Sequence, residues 1–390
     1  MNKRRLLLLS FLFFLFSFLI YVVIPPRIPL SPLGIPSPTR NTEYNIRYTI
    51  LGFAPYWNRT KISKEAMDSI TDYAYFALLL DSKGKLYTHV NRREQEPGYT
   101  NYLRLLSEPR TDYPPITLTY MPESQAALTS ILNNSVYRNQ AISTVSSLLQ
   151  EASASGVNID FEPLGDTPPS LRDNFTTFVK DLRASLKLSD QNVTPNLSLS
   201  VYPSAASRPR IWDLASLDPY LDSLVVMTYD YTLPGSSSVG PNSPLRGAGS
   251  LFEHDIVKNI AEITALVDSH KILLGIPFYG YEWDVETSEK YAPSESRGSV
   301  ASLERIDQMI KDKTLELLWD RSSLTPYAVK RENGEVVSQI YYENVDSIRL
   351  KLELVTQANL GGIAIWALGY EGNNSQSNQI WQTIQTLNEQ

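Results

Sequence analysis

Cysteine is absent from this chain of 390 residues, and histidine occurs only three times. Without cysteine the chain can form no disulfide and can offer neither a thiol nucleophile nor a cysteine-based metal site. His89, His254 and His270 are scattered and lack the spacing of metal ligands. We therefore expect no metal and no other cofactor.

Clusters of basic residues are also missing beyond residue 5, and the formal net charge is −7 at pH 7. Proteins bind phosphate backbones through clustered Lys and Arg, so this charge balance argues against a nucleic-acid partner. The composition is otherwise that of an ordinary globular protein, rather rich in Tyr and Trp. We expect a monomer.

One long uncharged run follows MNKRR at the N-terminus and covers residues 6–24. At about 1.5 Å per residue, a helix of this length reaches about 28 Å, enough to cross the core of a bilayer. A cleaved secretory signal would have a shorter apolar part and a small-residue cleavage site, whereas this run ends in Ile24-Pro25-Pro26. We interpret residues 1–24 as a membrane anchor, with a cleaved signal as the alternative. Basic residues 3–5 should remain inside, so both interpretations place the rest of the chain outside the cytoplasm.

Residues 25–46 are dense in Pro and Ser and predict a stiff linker, so the folded domain is expected at residues 47–390. From Tyr48 onward, short β-branched or aromatic runs alternate with longer amphipathic stretches, which is typical of βα units around a parallel sheet. An open doubly wound sheet and a closed barrel both fit this pattern. Eight strands and no Gly-x-Gly-x-x-Gly turn after the first favour an α/β fold of the (β/α)8 TIM-barrel class. The predicted strands are Thr49–Ala54, Tyr73–Leu79, Ile116–Tyr120, Gly156–Phe161, Asn196–Val201, Ser223–Thr228, Ile272–Ile276 and Gly362–Trp366; predicted helices include Asn139–Ala154, Arg172–Leu186 and Asp346–Ala358.

Residues 284–340, between the seventh and eighth predicted strands, are too many for a simple connection. They contain a helix-like stretch at Ser302–Asp312 and three short strand-like runs, the last two joined by Glu332-Asn333-Gly334, a good hairpin turn. We predict a small α+β insertion here. Such an insertion would wall a cleft, because active sites of these barrels lie at the carboxyl ends of the strands. A surface subdomain without a role in the cleft is the alternative.

The run SGVNIDFE, residues 155–162, places polar and apolar side chains on alternate faces of one strand. Asn158, Asp160 and Glu162 then face the barrel interior, with Glu162 at the carboxyl end. Burying two carboxyl groups is costly unless they are hydrogen-bonded and one is neutral, so a structural role explains them poorly. Burial and the charge of Asp160 should raise the pKa of Glu162, as a general acid near neutral pH requires.

These residues resemble the DxxDxDxE signature of glycoside hydrolase family 18, which includes chitinases and peptidoglycan-acting hydrolases. Three further stretches are similar to family segments at the sixth, seventh and eighth strands and occur in the same order: residues 227–230 (MTYD), 275–280 (GIPFYG) and 361–366 (GGIAIW). Any one of these matches would be weak evidence for the family. Four matches, spaced as barrel strands over nearly all of residues 48–370, are specific for it.

The resemblance implies retaining, substrate-assisted hydrolysis of β-1,4-linked N-acetylglucosamine glycans, either chitin-like or peptidoglycan. In this scheme Glu162 protonates the glycosidic oxygen while the 2-acetamido oxygen of the substrate attacks the anomeric carbon. Asp160 would orient the acetamido group, Tyr229 would donate a hydrogen bond to its oxygen, and Asp230 would hold substrate and tune the acid. The expected substrate contacts are Trp366 as an apolar floor, Met227, and three aromatic residues placed near strand ends: Tyr56, Tyr281 and Trp283.

Three departures from the family pattern concern the structure, the mechanism and the substrate. Ser155 replaces the first Asp of the signature, which we expect to affect structure more than chemistry. Asn158 stands where the family usually has an Asp, which weakens a proton relay but leaves a donor to Asp160. The third-strand region, residues 117–124, lacks the Ser-x-Gly-Gly common in chitinases and looks closer to the bacterial cell-wall branch. The alternative function is a carbohydrate-binding protein on the same barrel that turns over weakly or not at all.

Overall fold

The structure, a computed structural model, describes residues 47–109, 111–186 and 194–389. The predicted anchor at residues 1–24 and the predicted linker at 25–46 lie outside the described residues. Within the described part of the chain, no helix combines the length and the apolar character that a membrane crossing needs.

Eight parallel strands close into a barrel, in the order β1 (Thr49–Pro55), β15 (Gly362–Trp366), β9 (Ile272–Pro277), β8 (Ser223–Val226), β7 (Asn196–Val201), β6 (Gly156–Ile159), β5 (Ile116–Pro122) and β2 (Asp72–Leu80). The predicted eight-stranded barrel is therefore confirmed, and each predicted strand overlaps one barrel strand. The clearest difference is at β6, where Asp160, Phe161 and Glu162 continue beyond the last ladder pair, Tyr120 with Ile159.

Amphipathic helices cover the outside of the barrel, and their ends follow local capping chemistry. The side chain of Asn134 accepts hydrogen bonds from Val136 and Tyr137, so the helix predicted from Asn139 already begins at Ser135. The helices are α1 (Lys64–Ser69), α2 (Pro97–Ser107), α3 (Gln125–Asn133), α4 (Ser135–Ala152), α5 (Pro169–Ser185), α6 (Leu214–Leu217), α7 (Ile256–Thr264), α8 (Leu303–Lys311, which belongs to the insertion between β9 and β15), α9 (Val345–Gln357) and α10 (Ser375–Gln385).

Between β9 and β15 the chain forms a second, antiparallel sheet of five strands, in the order β11 (Ser299–Ser302), β10 (Tyr279–Asp284), β14 (Glu335–Tyr341), β13 (Thr325–Glu332) and β12 (Leu315–Asp320). It begins at Tyr279, directly after the barrel strand, and so starts before the predicted boundary at residue 284. Asn333 and Gly334 both have positive φ, as the predicted hairpin turn requires. Elsewhere in the chain, β3 (His89–Asn91) and β4 (Glu94–Gln95) form a separate two-stranded ribbon.

The barrel interior is divided into an apolar and a polar part. One buried cluster comes from β1, β2, β8, β9 and β15: Leu51, Phe53, Ala74, Val225, Leu273 and Ala364. The neighbouring strands β5, β6 and β7 instead contribute buried polar side chains: Thr117, Thr119, Asn158, Ser198 and Ser200. A hydrogen-bonding wall therefore faces an apolar wall, and the catalytic candidates lie above both.

Candidate active site

Asp160 and Glu162 lie where β6 ends, as the sequence predicts. The apolar face of this segment packs outward: the ring of Phe161 stacks on Phe178 of α5 at 5.4 Å between centroids. The backbone of Glu162 is held from the preceding βα unit, because the side-chain amide of Gln125 donates to the carbonyl oxygen of Glu162 at 2.7 Å. These contacts direct both carboxyl groups toward the barrel mouth.

Burial changes the acidity of both carboxyl groups. The side chain of Asp160 is buried, and its Oδ1 has no hydrogen-bond partner among the described residues. Burial, followed by the charge of Glu162, raises the pKa of Asp160 well above its ordinary value. Burial also raises the pKa of Glu162, and the nearby charge of Asp230 adds to it, while a hydrogen bond from Tyr202 opposes the rise. Two such groups side by side favour a state in which at least one keeps its proton near neutral pH.

Tyr229 and Asp230 reach the same place from the end of β8. Asp230 has a left-handed backbone (φ +62°), and its N–H donates to the side chain of Asn242 at 2.8 Å. The hydroxyl groups of Tyr279 and Tyr281 both donate to Oδ1 of Asp230, at 2.5 and 2.7 Å. The pKa of Tyr229 is raised by burial and then by the neighbouring carboxylates, so its hydroxyl group remains protonated and can donate a hydrogen bond.

Trp366, the last residue of β15, forms the apolar side of the site. Its ring contacts Phe76 at 4.5 Å and Phe53 at 6.0 Å between centroids, and it rests on the apolar interior cluster. A flat aromatic ring opposite the carboxyl groups suits the C–H face of a sugar ring.

Together these groups line one cavity of about 570 Å³. Its walls combine the acidic groups, tyrosine hydroxyls and aromatic rings already described with residues from the loops after β7 and β8. Among the described residues no group of His, Asp and Glu side chains is arranged to hold a metal ion. The lining residues are Phe53, Phe76, Asp160, Glu162, Ser200, Tyr202, Pro203, Ser204, Arg210, Met227, Tyr229, Asp230, Tyr231, Leu233, His254, Asn259, Tyr279 and Trp366.

The family model described as Glycosyl hydrolases family 18 matches residues 43–371. The chain belongs to this family. The predicted family is thus confirmed, and with it the enzyme class of glycoside hydrolase.

Related proteins are distant in sequence. YdhD of Bacillus subtilis is 24% identical over 242 residues, which make up 61% of this chain and 52% of YdhD. The cortical fragment-lytic enzyme of Bacillus anthracis is 22% identical over 86% of this chain and 74% of that enzyme. Among solved structures, a family 18 chitinase from Cycas revoluta in complex with (GlcNAc)3 superposes with a TM-score of 0.72 at 17% identity, covering 87% of this chain and 99% of the chitinase. At this identity, that likeness shows the fold.

In this member of family 18 the structure brings most of the predicted site residues together. Six of the ten line the cavity: Asp160, Glu162, Met227, Tyr229, Asp230 and Trp366. Tyr281 contributes its hydroxyl group to Asp230 from the first strand of the inserted sheet. Tyr56 is not among the residues that line the cavity; it packs edge-on against Trp57, at 4.9 Å between centroids, and its N–H donates to the carbonyl oxygen of the lining residue Phe76 at 2.8 Å.

Two predictions about individual residues are wrong. Trp283 is fully buried in the core of the inserted sheet, and its indole N–H donates to the carbonyl oxygen of Pro234, so it cannot contact a sugar. Asn158 was expected to donate to Asp160. Instead its amide donates to Ser198 and accepts from Ser200, because these two residues of β7 lie beside it in the barrel, and the described residues show no hydrogen bond from it to Asp160.

Sequence reasoning missed the contribution of the segment after β7. Tyr202 hydrogen-bonds Glu162, and Arg210 lies over the ring of Tyr202. The signal was available for Tyr202, because it directly follows a predicted barrel strand, where the fold class places active-site residues. Arg210 had no such signal, since it lies farther along an irregular segment.

Proposed function

We propose that this protein is a retaining glycosidase that cleaves β-1,4-linked N-acetylglucosamine glycans with assistance from the 2-acetamido group of the substrate. The observation that carries the proposal is the convergence of Asp160, Glu162 and Tyr229 in one cavity opposite Trp366. Family 18 enzymes are substrate-assisted exceptions to the scheme with two catalytic carboxylates, and this arrangement suits that chemistry.

In the proposed first step, protonated Glu162 gives its proton to the glycosidic oxygen as the bond to the anomeric carbon breaks. The carbonyl oxygen of the 2-acetamido group attacks the anomeric carbon and forms a cyclic oxazolinium ion. The raised pKa of Glu162 supports its role as the acid, since a larger fraction of the carboxyl group is protonated near neutral pH.

Asp160 and Tyr229 would stabilise the acetamido group as charge develops on it. Oδ1 of Asp160, buried and without a partner among the described residues, can accept the acetamido N–H. The hydroxyl group of Tyr229 can donate to the acetamido oxygen. Water then attacks the anomeric carbon and gives its proton to the carboxylate of Glu162, which restores the acid and retains the configuration.

Release of a chromophore from N-acetylglucosaminyl oligomers tests this proposal. We expect Glu162→Gln to lower kcat by about 10²- to 10⁴-fold, the usual contribution of a general acid. NMR of the first product should show the β-anomer. Release of the α-anomer first would contradict retention, and equal rates for the wild type and Glu162→Gln would contradict catalysis by this acid.

A carbohydrate-binding protein that has little or no turnover is the second candidate, and the hydrogen bonds of Asn158 favour it. An amide cannot share a titrating proton with Asp160 as a carboxyl group could, and the hydrogen bonds of Asn158 go to Ser198 and Ser200 instead. Retained binding of oligomers with near-zero turnover by the wild type would support this candidate.

We also propose that residues 1–24 hold the enzyme at a membrane, with the barrel outside the cytoplasm and acting as a monomer. Only the sequence of the segment supports the anchor. Carbonate extraction of membranes should leave the full chain in the pellet, protease added from outside should reach the barrel, and light scattering should give about the monomer mass. Release of the chain into the soluble fraction would contradict anchoring.

A further inference from the structure

We propose that Arg210 binds a carboxylate on the substrate, so that the enzyme prefers N-acetylated glycans that carry an acidic substituent over neutral ones. This inference rests on the proposed function and specifies the substrate class of the same site.

Arg210 lies beside the proposed acid. Its side chain lines the cavity that contains Asp160 and Glu162. The guanidinium carbon is 4.7 Å from the centroid of the Tyr202 ring, and the hydroxyl group of the same tyrosine hydrogen-bonds Glu162. The cation therefore contacts the very ring whose hydroxyl group reaches the acid.

Arg210 forms no ion pair among the described residues, and the nearby carboxylate of Asp166 is paired with Arg208. Its neighbour Arg208 forms an ion pair with Asp166 at 2.7 Å, whereas Arg210 makes only a long hydrogen bond of 3.4 Å from one terminal nitrogen to Ser204. Its Nε atom is buried and has no hydrogen-bond partner within the described part of the chain. A guanidinium group has donors in a planar fork that matches a carboxylate, so this side chain retains the capacity to bind one.

Several contacts hold Arg210 in this position. Its backbone is left-handed (φ +46°), which is uncommon for a residue with a side chain, and the side chain of Arg172 donates to its carbonyl oxygen at 3.0 Å. The Tyr202 ring on which the guanidinium rests is itself packed edge-on against buried Trp212, at 5.1 Å. The cation is thus presented by a fixed support and need not be ordered when substrate binds.

A neutral N-acetylglucosamine polymer contains no group that needs this cation. A glycan that carries a carboxylate needs a cation in the cavity, because Asp160, Glu162 and Asp230 already line it and repel a further negative charge. The carboxylate could belong to an acidic ether substituent of the sugar ring, as in muramic acid, or to a peptide attached to that substituent. Both present the same chemistry to a guanidinium group.

The experiment compares four substrates with the wild type and three variants, Arg210→Gln, Arg210→Lys and Arg208→Gln. The substrates are a neutral N-acetylglucosamine oligomer, a peptide-free oligosaccharide of alternating N-acetylglucosamine and N-acetylmuramic acid, the same oligosaccharide with its carboxyl groups amidated, and its peptide-bearing form. Arg208→Gln is the matched control, since it removes one positive charge from the same segment but not from the cavity lining.

For the wild type we expect kcat/KM to be at least tenfold higher on a carboxylate-bearing substrate than on the amidated one. The loss of kcat/KM caused by Arg210→Gln should be at least tenfold greater on that substrate than on the neutral oligomer. Arg210→Lys should recover part of the loss, and Arg208→Gln should behave as the wild type. Preference for the peptide-free or for the peptide-bearing form identifies the source of the carboxylate.

Equal losses of Arg210→Gln on neutral and acidic substrates would overturn the proposal, because Arg210 would then only support Tyr202. Absence of any preference in the wild type would also overturn it. If the wild type cleaves none of the substrates, the proposed function fails instead. In that case calorimetric binding of the acidic and amidated oligosaccharides to the wild type and Arg210→Gln still decides whether Arg210 binds the carboxylate.

Discussion

Two buried acidic sites of this protein differ in how their charge is compensated. At the start of α9, Oε2 of Glu343 accepts hydrogen bonds from Lys351 at 2.7 Å and from Ser347 at 2.6 Å, and both members of the ion pair are buried. At the end of β6, by contrast, the neighbour of Asp160 is another carboxyl group, and no ion pair joins Asp160 to a cation among the described residues.

The difference indicates which site is structural and which is functional. Burial raises the pKa of Glu343, but the charge and hydrogen bond of Lys351 oppose the rise. Burial raises the pKa of Asp160 as well, and there the neighbouring Glu162 adds to the rise. A buried carboxylate that is paired with a cation has a structural role. A buried pair of carboxyl groups without a cation instead retains a proton that can be used in catalysis.

Removing the cation of the first site should have the largest effect on stability. Lys351→Met leaves Glu343 buried without its partner, and we expect the free energy of unfolding to fall by about 3–5 kcal/mol. Urea denaturation measures this change. The matched control is the double variant Lys351→Met with Glu343→Leu, which should recover most of the loss. If Lys351→Met were as stable as the wild type but had lost its activity, our assignment of the two sites would be reversed.

Removing one carboxyl group of the second site should instead increase the stability of the protein. Because the pKa values of Asp160 and Glu162 are raised in the folded state, the wild type loses stability as pH rises from the ordinary carboxyl range through the raised values. Glu162→Gln should therefore raise the free energy of unfolding by about 1–2 kcal/mol at pH 8, with little change below pH 4. Denaturation at both pH values checks this, and a loss of stability at pH 8 would show that the acidic pair is compensated after all.

Removing the hydroxyl group that contacts Glu162 should have the smallest effect. The hydrogen bond from Tyr202 lowers the pKa of Glu162, so Tyr202→Phe should raise it. The alkaline limb of the profile of kcat/KM against pH should then move to higher pH, by about half a unit to one unit for a bond worth about 1 kcal/mol. A uniform loss of rate at every pH would instead indicate that Tyr202 only fills space.

The sequence was most informative where a periodic pattern coincides with a single strand. Alternation along β6 placed Asp160 and Glu162 on one face and Phe161 on the other, and the structure agrees. Periodicity was less informative for the inserted sheet, whose strand β10 was missed because it follows β9 with only Phe278 between them. Trp283 was placed in the cleft for the same reason, since alternation does not say which of two sheets receives an aromatic side chain.

By itself, the sequence determined the family, the eight strands and the acidic pair, because these depend on local alternation and on short motifs. Only the tertiary structure decided the partners of these residues. Ser198 and Ser200 engage Asn158 from the neighbouring strand, and Tyr202 and Arg210 reach the site from the segment that follows that strand. Closing the barrel brings these distant residues together, and the contacts they make set the pKa values and charges at its mouth.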